Sequence, residues 1–395
     1  MKRILSLVIA LAMVLSMTAA MAETVTLKVW GAQEDQALLG ELIEGFKAAN
    51  ADTTWDITLG VVGEPDAKTR YLEDPVAAAD VFAFANDQLR DLVNADALYE
   101  VTRNKDAIVA ANSAGSVESA TLNDTLYGYP MTADNGYFLY YDKSVVTDPT
   151  SIEAILADCE KAGKNFYMEI NSGWYQTAFF FGAGCTLTYS TDDSGNLVAM
   201  DCDYASENGV KALKSMIKLA QSPVFVNGSS ASNATNLGAI VDGTWDAVAV
   251  QGILGDNYAA VKLPTIDGYQ LGGFGGFKML GVKPQTDEAK LAACDALALY
   301  LTSGEVQAAR YDAVGWGPSN LEAQQSEAVK SDVALSALAS QLAYCIGQGQ
   351  YPGEYWTLAT ALGDDILADK YDAYTDEQLL EVLTTFQATA GSYVK

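Results

Sequence analysis

The chain has 395 residues, of which 51 are acidic and 23 basic, for a formal charge of −28, and it contains no histidine. Such a charge repels nucleic acid and anionic lipid, so neither is expected as a partner. The missing histidine excludes Ser-His-Asp and Cys-His catalysis and every histidine-ligated metal, and no cofactor or metal is expected.

The first 22 residues read as a cleaved signal peptide. Lys2-Arg3 is the charged start, Ile4 to Met17 the apolar run, and Ala20-Met21-Ala22 the small-x-small cleavage site before Glu23. No cysteine precedes Cys159, so a lipid-anchored form is not expected and the protein is read as secreted or periplasmic. The leader holds two basic residues, which leaves 21 basic against 51 acidic residues in a mature chain of charge −30. The remaining length exceeds what one core usually serves, so two domains are expected.

Val25, Leu27 and Val29 alternate with polar neighbours and predict a strand, followed by the polar loop Gly31-Ala32-Gln33-Glu34-Asp35. Leu39, Leu42, Ile43 and Phe46 then fall on one face of a helix. A second strand is expected from Trp55 to Val62, and a third over Ala79–Phe84 that runs into a helix from Gln88. This strand–loop–helix order predicts an α/β domain with a mainly parallel sheet, whose ligand loops lie at the carboxyl ends of the strands. After a break at Tyr127-Gly128-Tyr129-Pro130, strands at Tyr137–Tyr141 and Asn165–Ile170 begin a second unit. Leu263-Pro264 breaks the chain again, and the glycine-rich run to Phe277 reads as a strand of a movable joint that returns the chain to the first unit. A helix follows over Glu288–Leu301, and a last helix opens with the capping-box pair Thr375 and Gln378.

The five cysteines form no CxxC. Cys185 and Cys202 flank a hairpin expected to turn near Asp193-Ser194. They read equally as a disulfide of a secreted protein and as two small buried thiols.

The chain holds 21 Tyr, 12 Phe and 6 Trp. Sugars are recognised by aromatic faces laid on their C–H faces and by carboxylates or amides aimed at their hydroxyls. Trp174-Tyr175, Trp245 and Trp356 each stand beside a turn, which suits a ligand platform, although each alone is more often a core or edge aromatic. The polar candidates are Gln33, Glu34, Asp35, Asp87, Gln88 and Asp134. For the acids the competing reading is a helix cap, most strongly for Asp35.

The segments VTLKVWGAQEDQALLGELIEGFK, AADVFAFANDQLRDLVNADALYEV, LYGYPMTADNGYFLYYDKSVV, VDGTWDA…KLPTIDG…GGFGGFKMLGV and VGWGPSNL together resemble the family 1 extracellular solute-binding proteins of carbohydrate ABC importers, within them the maltose/maltodextrin-binding branch. The resemblance implies the two-lobed, type II periplasmic-binding-protein fold, α/β, each lobe a mixed, mainly parallel sheet flanked by helices, with crossed hinge connections. One lobe would comprise 23–133 plus 275–325 and the other 134–274 plus 326–395. It implies a monomer that is not an enzyme, takes an oligosaccharide, of the α-glucan type, between its lobes, and delivers it by domain closure to ABC permease subunits. The implied sugar contacts are Gln33, Glu34, Asp35, Phe84, Asp87, Gln88 and Asp134, with an aromatic platform of Trp174, Tyr175, Trp245 and Trp356. Phe84 stands where maltodextrin binders often have Trp, Gln88 where they often have Arg, and Thr360 where an Arg often follows the last aromatic. Another oligosaccharide remains open on those grounds. Two further readings are a glycoside hydrolase, which needs carboxyls roughly 5–9.5 Å apart, and a cell-surface adhesion module.

Overall fold

The computed structural model describes residues 24–192 and 196–394. The expected leader and the tip of the expected hairpin at Asp193-Ser194 lie outside them. The chain divides into two compact units, one running to Ala133 and resuming over Phe277–Val329, the other comprising Asp134–Gly276 and Lys330 onward. Each unit is an α/β layer structure, and together they give the two-lobed, type II architecture expected from the sequence.

In unit 1 the strand Val25–Gly31 pairs in parallel with Trp55–Val61 on one side and with Val81–Ala85 on the other. A further strand comes from far along the chain, where Lys278 to Val282 run antiparallel to Val81–Ala85, with Lys278 opposite Ala85 and Val282 opposite Val81. The connection Gln36–Ala49 is a helix because its apolar residues recur on one face. Leu39, Leu42, Ile43 and Phe46 are all buried, as their spacing predicts. The helix Glu288–Leu301 covers the sheet with Cys294, Leu297 and Leu301 fully buried, while Leu291 is half-buried. Parallel strands joined by such crossovers all end at one edge, and that edge carries residues 31–35, the loop after Val61, residues 85–88 and Lys278.

In unit 2 the central strand Leu237–Gly243 is buried at every residue. It pairs in parallel with Asn165–Tyr167 and antiparallel with Tyr129–Asp142, with Gly243 opposite Tyr137. Asn165–Tyr167 in turn pairs in parallel with Phe225–Val226. The strand expected to reach Ile170 stops at Tyr167, and the chain leaves the sheet over 168–172 to start the helix Gly173–Gly182. Behind the sheet, Phe180 stacks on Tyr204 with ring centroids 4.0 Å apart, and Tyr204 stacks on Phe386 of the last helix. That helix, Asp376–Gly391, carries the expected capping box of Thr375 and Gln378.

Cys185 and Cys202 remain two buried free thiols and form no bridge. The hairpin register puts Leu187 opposite Cys202 and leaves Cys185 two residues beyond the pair. Burial pushes the Cys185 thiol up to about 12 and the Cys202 thiol up to about 11, which keeps both protonated and unreactive. Among the described residues no helix is long and apolar enough to cross a membrane, and no cluster of three acidic or cysteine side chains could hold a metal ion.

One ion pair ties the first loop of unit 1 to a distant helix. Arg310, on the helix Gly304–Val314, donates from Nε to both carboxylate oxygens of Asp35, at 3.2 and 3.1 Å, and from a terminal nitrogen to the Leu301 carbonyl. Both side chains are almost wholly buried. Removing one partner would leave a buried charge uncompensated, which costs about 3–5 kcal/mol. Arg310→Met should therefore lower unfolding stability by that amount in urea titration, and Asp35→Leu combined with Arg310→Met should recover most of it. A single variant as stable as the wild type would contradict this role.

Candidate functional site

The strand-end edge of unit 2 gathers aromatic rings. The chain leaves Leu237–Gly243 through the short turn Thr244–Asp246, and this places Trp245 at the carboxyl end of the central strand. Its six-membered ring lies so close over Gly243 that any β-carbon there would collide with it. Glycine at that position is what lets the indole fold back over the strand end. Trp174, in the first turn of Gly173–Gly182, reaches the same edge from the neighbouring strand, and the two indoles have centroids 5.8 Å apart at an interplanar angle of 46°. Both are half-buried, so each offers part of its ring outward.

Polar side chains set the indoles in place. Tyr137 lies edge-on to Trp174, and its hydroxyl bonds Thr177 Oγ1 and donates to the Trp174 carbonyl. The Trp174 Nε1 donates to Gln348 Oε1 at 3.1 Å, an atom that also accepts from Asn135 Nδ2. Thr244 donates to Asp134 Oδ2 at 2.5 Å. Tyr175 is buried beneath the platform, and its hydroxyl meets Ser229, which donates to Glu169 Oε2 at 2.6 Å. Trp356 stands at the start of Gly353–Leu367, half-buried, packed edge-on against Tyr351 and Tyr355 and against Gly173. Thr360, one turn on, donates back to the Trp356 carbonyl.

In unit 1, Gln33 and Glu34 are exposed at the end of the first strand. Asp35 occupies the N-cap position of Gln36–Ala49 but makes no side-chain cap bond, because both of its oxygens face Arg310. Phe84 is entirely interior, inside a strand buried at every residue. Gln88 is buried and donates to the Glu64 and Pro65 carbonyls while accepting from the Lys68 amide, so it clamps the loop after the second strand. Asp87 is half-buried in the turn Asn86–Gln88.

The structure thus brings Trp174, Tyr175, Trp245 and Asp134 to one edge of unit 2, and Gln33, Glu34, Asp35, Asp87 and Gln88 to one edge of unit 1. Asp35, Phe84, Gln88 and Tyr175 are held inside the scaffold. Spacing does not single out Glu169, Asp242, Asp246, Ser229 or Gln348, which share the unit 2 edge, nor Glu64, Lys278 and Trp316 in unit 1. For Asp242 the sequence does hold a signal, since it directly precedes the Gly243-Thr244-Trp245 turn.

Asp242 is fully buried, and burial together with the neighbouring Asp246 carboxylate holds its carboxyl well above the usual carboxylate range, against the Gly243 amide that donates to it. The folded state therefore binds this proton more tightly than the unfolded chain does. Its contribution is fully present below the ordinary value of 3.8 and is lost as pH rises through the folded value. Each tenfold of proton affinity gained on folding is worth about 1.4 kcal/mol. Asp242→Asn keeps an acceptor for the Gly243 amide without the charge, so it should melt at a higher temperature than the wild type at pH 8, with the gap closing near pH 4. A gap that stays constant across that range would refute the assignment.

Residues 41–337 match the family described as bacterial extracellular solute-binding protein. No curated protein matches the chain. Among solved structures, one determined with acarbose is 27% identical, covers 95% of this chain and 100% of its own, and superposes with a TM-score of 0.81. The maltodextrin-binding protein MalE1 of L. casei, solved without ligand, is 24% identical over 94% of this chain and 100% of its own, with a TM-score of 0.75. The maltotriose-binding protein of Thermus thermophilus, solved with maltotriose, is 20% identical over 92% and 99%, with a TM-score of 0.76. With three quarters of its length inside the family match, and with the fold of these structures, the chain belongs to the bacterial extracellular solute-binding proteins, which bind and carry a solute without transforming it.

Proposed function

We propose that this protein binds a maltose/maltodextrin-type oligosaccharide and hands it, as a monomer, to the permease subunits of an ABC importer. The observation that carries the reading is the tilted indole pair Trp174–Trp245, half-buried at a strand-end edge and bordered by the carboxyls of Asp134, Asp242, Asp246 and Glu169. Flat apolar rings beside hydrogen-bond acceptors match a pyranose, which presents C–H groups on its faces and hydroxyls on its rim. The comparisons lend weight to this chemistry. Structures of the same fold carry acarbose or maltotriose or are named for maltodextrin. Trp356 would extend the platform. In unit 1 the exposed Gln33 and Glu34, with Asp87, are the polar contacts the reading favours, because Asp35, Phe84 and Gln88 are engaged elsewhere.

A different oligosaccharide is the alternative that a specific observation favours. At the positions where maltodextrin binders often place Trp and Arg, this chain has an interior Phe84 and a loop-clamping Gln88, so an indole and a cation are missing from those two places. A thermal-shift panel separates the two readings. Maltotriose or a longer α-glucan should raise the melting temperature, and Trp245→Ala should weaken that ligand at least about tenfold, or ~1.4 kcal/mol. Stabilisation by another oligosaccharide and not by α-glucans would move the assignment to that sugar. Undiminished affinity in Trp245→Ala would remove the platform.

A further inference from the structure

Two buried polar atoms at the strand-end edge of unit 1 have no hydrogen-bond partner in the fold. Glu64 follows the second strand and is 3% exposed, yet its Oε1 accepts no hydrogen bond. Trp316 is 1% exposed, and its Nε1 donates to nothing. A buried polar atom of this kind is destabilising unless something else supplies the partner. A cation joins them. Lys278 stands opposite Ala85 and is buried as well, with its ammonium 4.0 Å from the centre of the Trp316 indole.

These groups are held where they are by the rest of the edge. Gln88 grips the Glu64 and Pro65 carbonyls, and Asn86 Oδ1 accepts the amide of Phe277, next to Lys278. Burial raises the Glu64 carboxyl above its ordinary range. Lys278 works against that rise, whereas Glu34 and Asp35 add to it. The carboxyl ends of the first three strands and the antiparallel one beside them therefore place an acceptor, a cation and an indole N–H together, with the exposed Glu34 close by. An edge of this kind is where open α/β sheets bind ligands.

We propose that Glu64, Lys278 and Trp316 form the unit 1 contact set for the hydroxyls of the oligosaccharide, Glu64 accepting and Lys278 and the Trp316 indole donating. This rests on the oligosaccharide reading above and names the residues that would select hydroxyl pattern in this unit. A neutral polyol suits the set, because one acid and one base leave no net charge for an ionic ligand to match.

Calorimetric titration of the full chain with the best-stabilising sugar of the panel tests it, using Glu64→Gln, Lys278→Met and Trp316→Phe, the last of which keeps an aromatic ring but removes the donor together with part of the buried indole. The expected result is an affinity loss of tenfold or more for Glu64→Gln and Lys278→Met and a smaller one for Trp316→Phe, with ligand-free melting temperatures at or above the wild-type value for Glu64→Gln. Wild-type binding with all three variants within twofold would overturn this inference and leave the oligosaccharide reading standing. Failure of the wild type to bind any sugar would instead overturn that reading. Affinity losses that track equal losses of ligand-free melting temperature in Glu64→Gln and Trp316→Phe would show a scaffold role and also overturn the inference.

Discussion

The seating of the Trp245 indole on the bare backbone of Gly243 is the contact on which the unit 2 surface depends. The strand that delivers it is buried at every residue, so the chain has no freedom before the turn. With a side chain at Gly243 the indole would be displaced from the strand end. The partner indole, Trp174, stands in the first turn of the helix that follows the neighbouring strand and is fixed by Tyr137 beneath it and Gln348 beside it. Two rings carried on the turns that follow two paired strands can hold a constant angle only if the sheet beneath them is rigid. A central strand hydrogen-bonded on both sides gives that rigidity.

The two units solve the same geometric problem with different chemistry. In both, parallel strands end together and their loops converge. Unit 2 fills its edge with rings, supported by a buried carboxyl and a set of hydroxyls and amides. Unit 1 fills its edge with charge, as Asp35 with Arg310 and Glu64 beside Lys278, with the Trp316 indole under that ammonium, and keeps Phe82 and Phe84 inside the sheet. The ion pair matters here because it removes Asp35 from the loop's chemistry and leaves the exposed Gln33 and Glu34 to define the surface. A chain with a large acidic excess thus neutralises these buried acids and leaves its exposed ones in solvent, where hydration stabilises their charge.

Much of the fold can be read from the sequence because it rests on local periodicity. The stripe Leu39, Leu42, Ile43 and Phe46, the capping box at Thr375 and Gln378, and the strand–helix rhythm are all short-range signals, and each corresponds to an observed element. The aromatic residues beside turns are legible for the same reason, since Trp174 and Trp245 follow Gly-containing breaks after strands. Long-range pairing is not. Asp35 and Arg310 lie 275 residues apart, and nothing near Asp35 reveals that its carboxylate is taken. Lys278 reads as an ordinary strand residue until its register opposite Ala85 sets it at the strand-end edge. The cysteine pair shows the same limit at short range. Hairpin spacing alone permits a bridge, but a two-residue offset in register decides whether two thiols face each other.

That offset also bears on what the protein can do. Burial keeps Cys159, Cys185, Cys202, Cys294 and Cys345 protonated, so the thiols supply no nucleophile, and the sequence supplies no imidazole to act as base. The carboxyls at the unit 2 edge are engaged in ways that suit holding over reacting. Asp134 accepts from Thr244, Glu169 from Ser229 and Asp246 from the Ala231 amide, while burial and Asp246 raise the Asp242 carboxyl well above the usual carboxylate range. A hydrolase needs one of two facing carboxyls free to give up a proton and the other free to receive one across the scissile bond. Here the acids fix loops and orient rings. The same hydrogen bonds that make the edge a poor place for proton transfer make it a stiff one, and stiffness is what lets a binding surface discriminate one arrangement of hydroxyls from another.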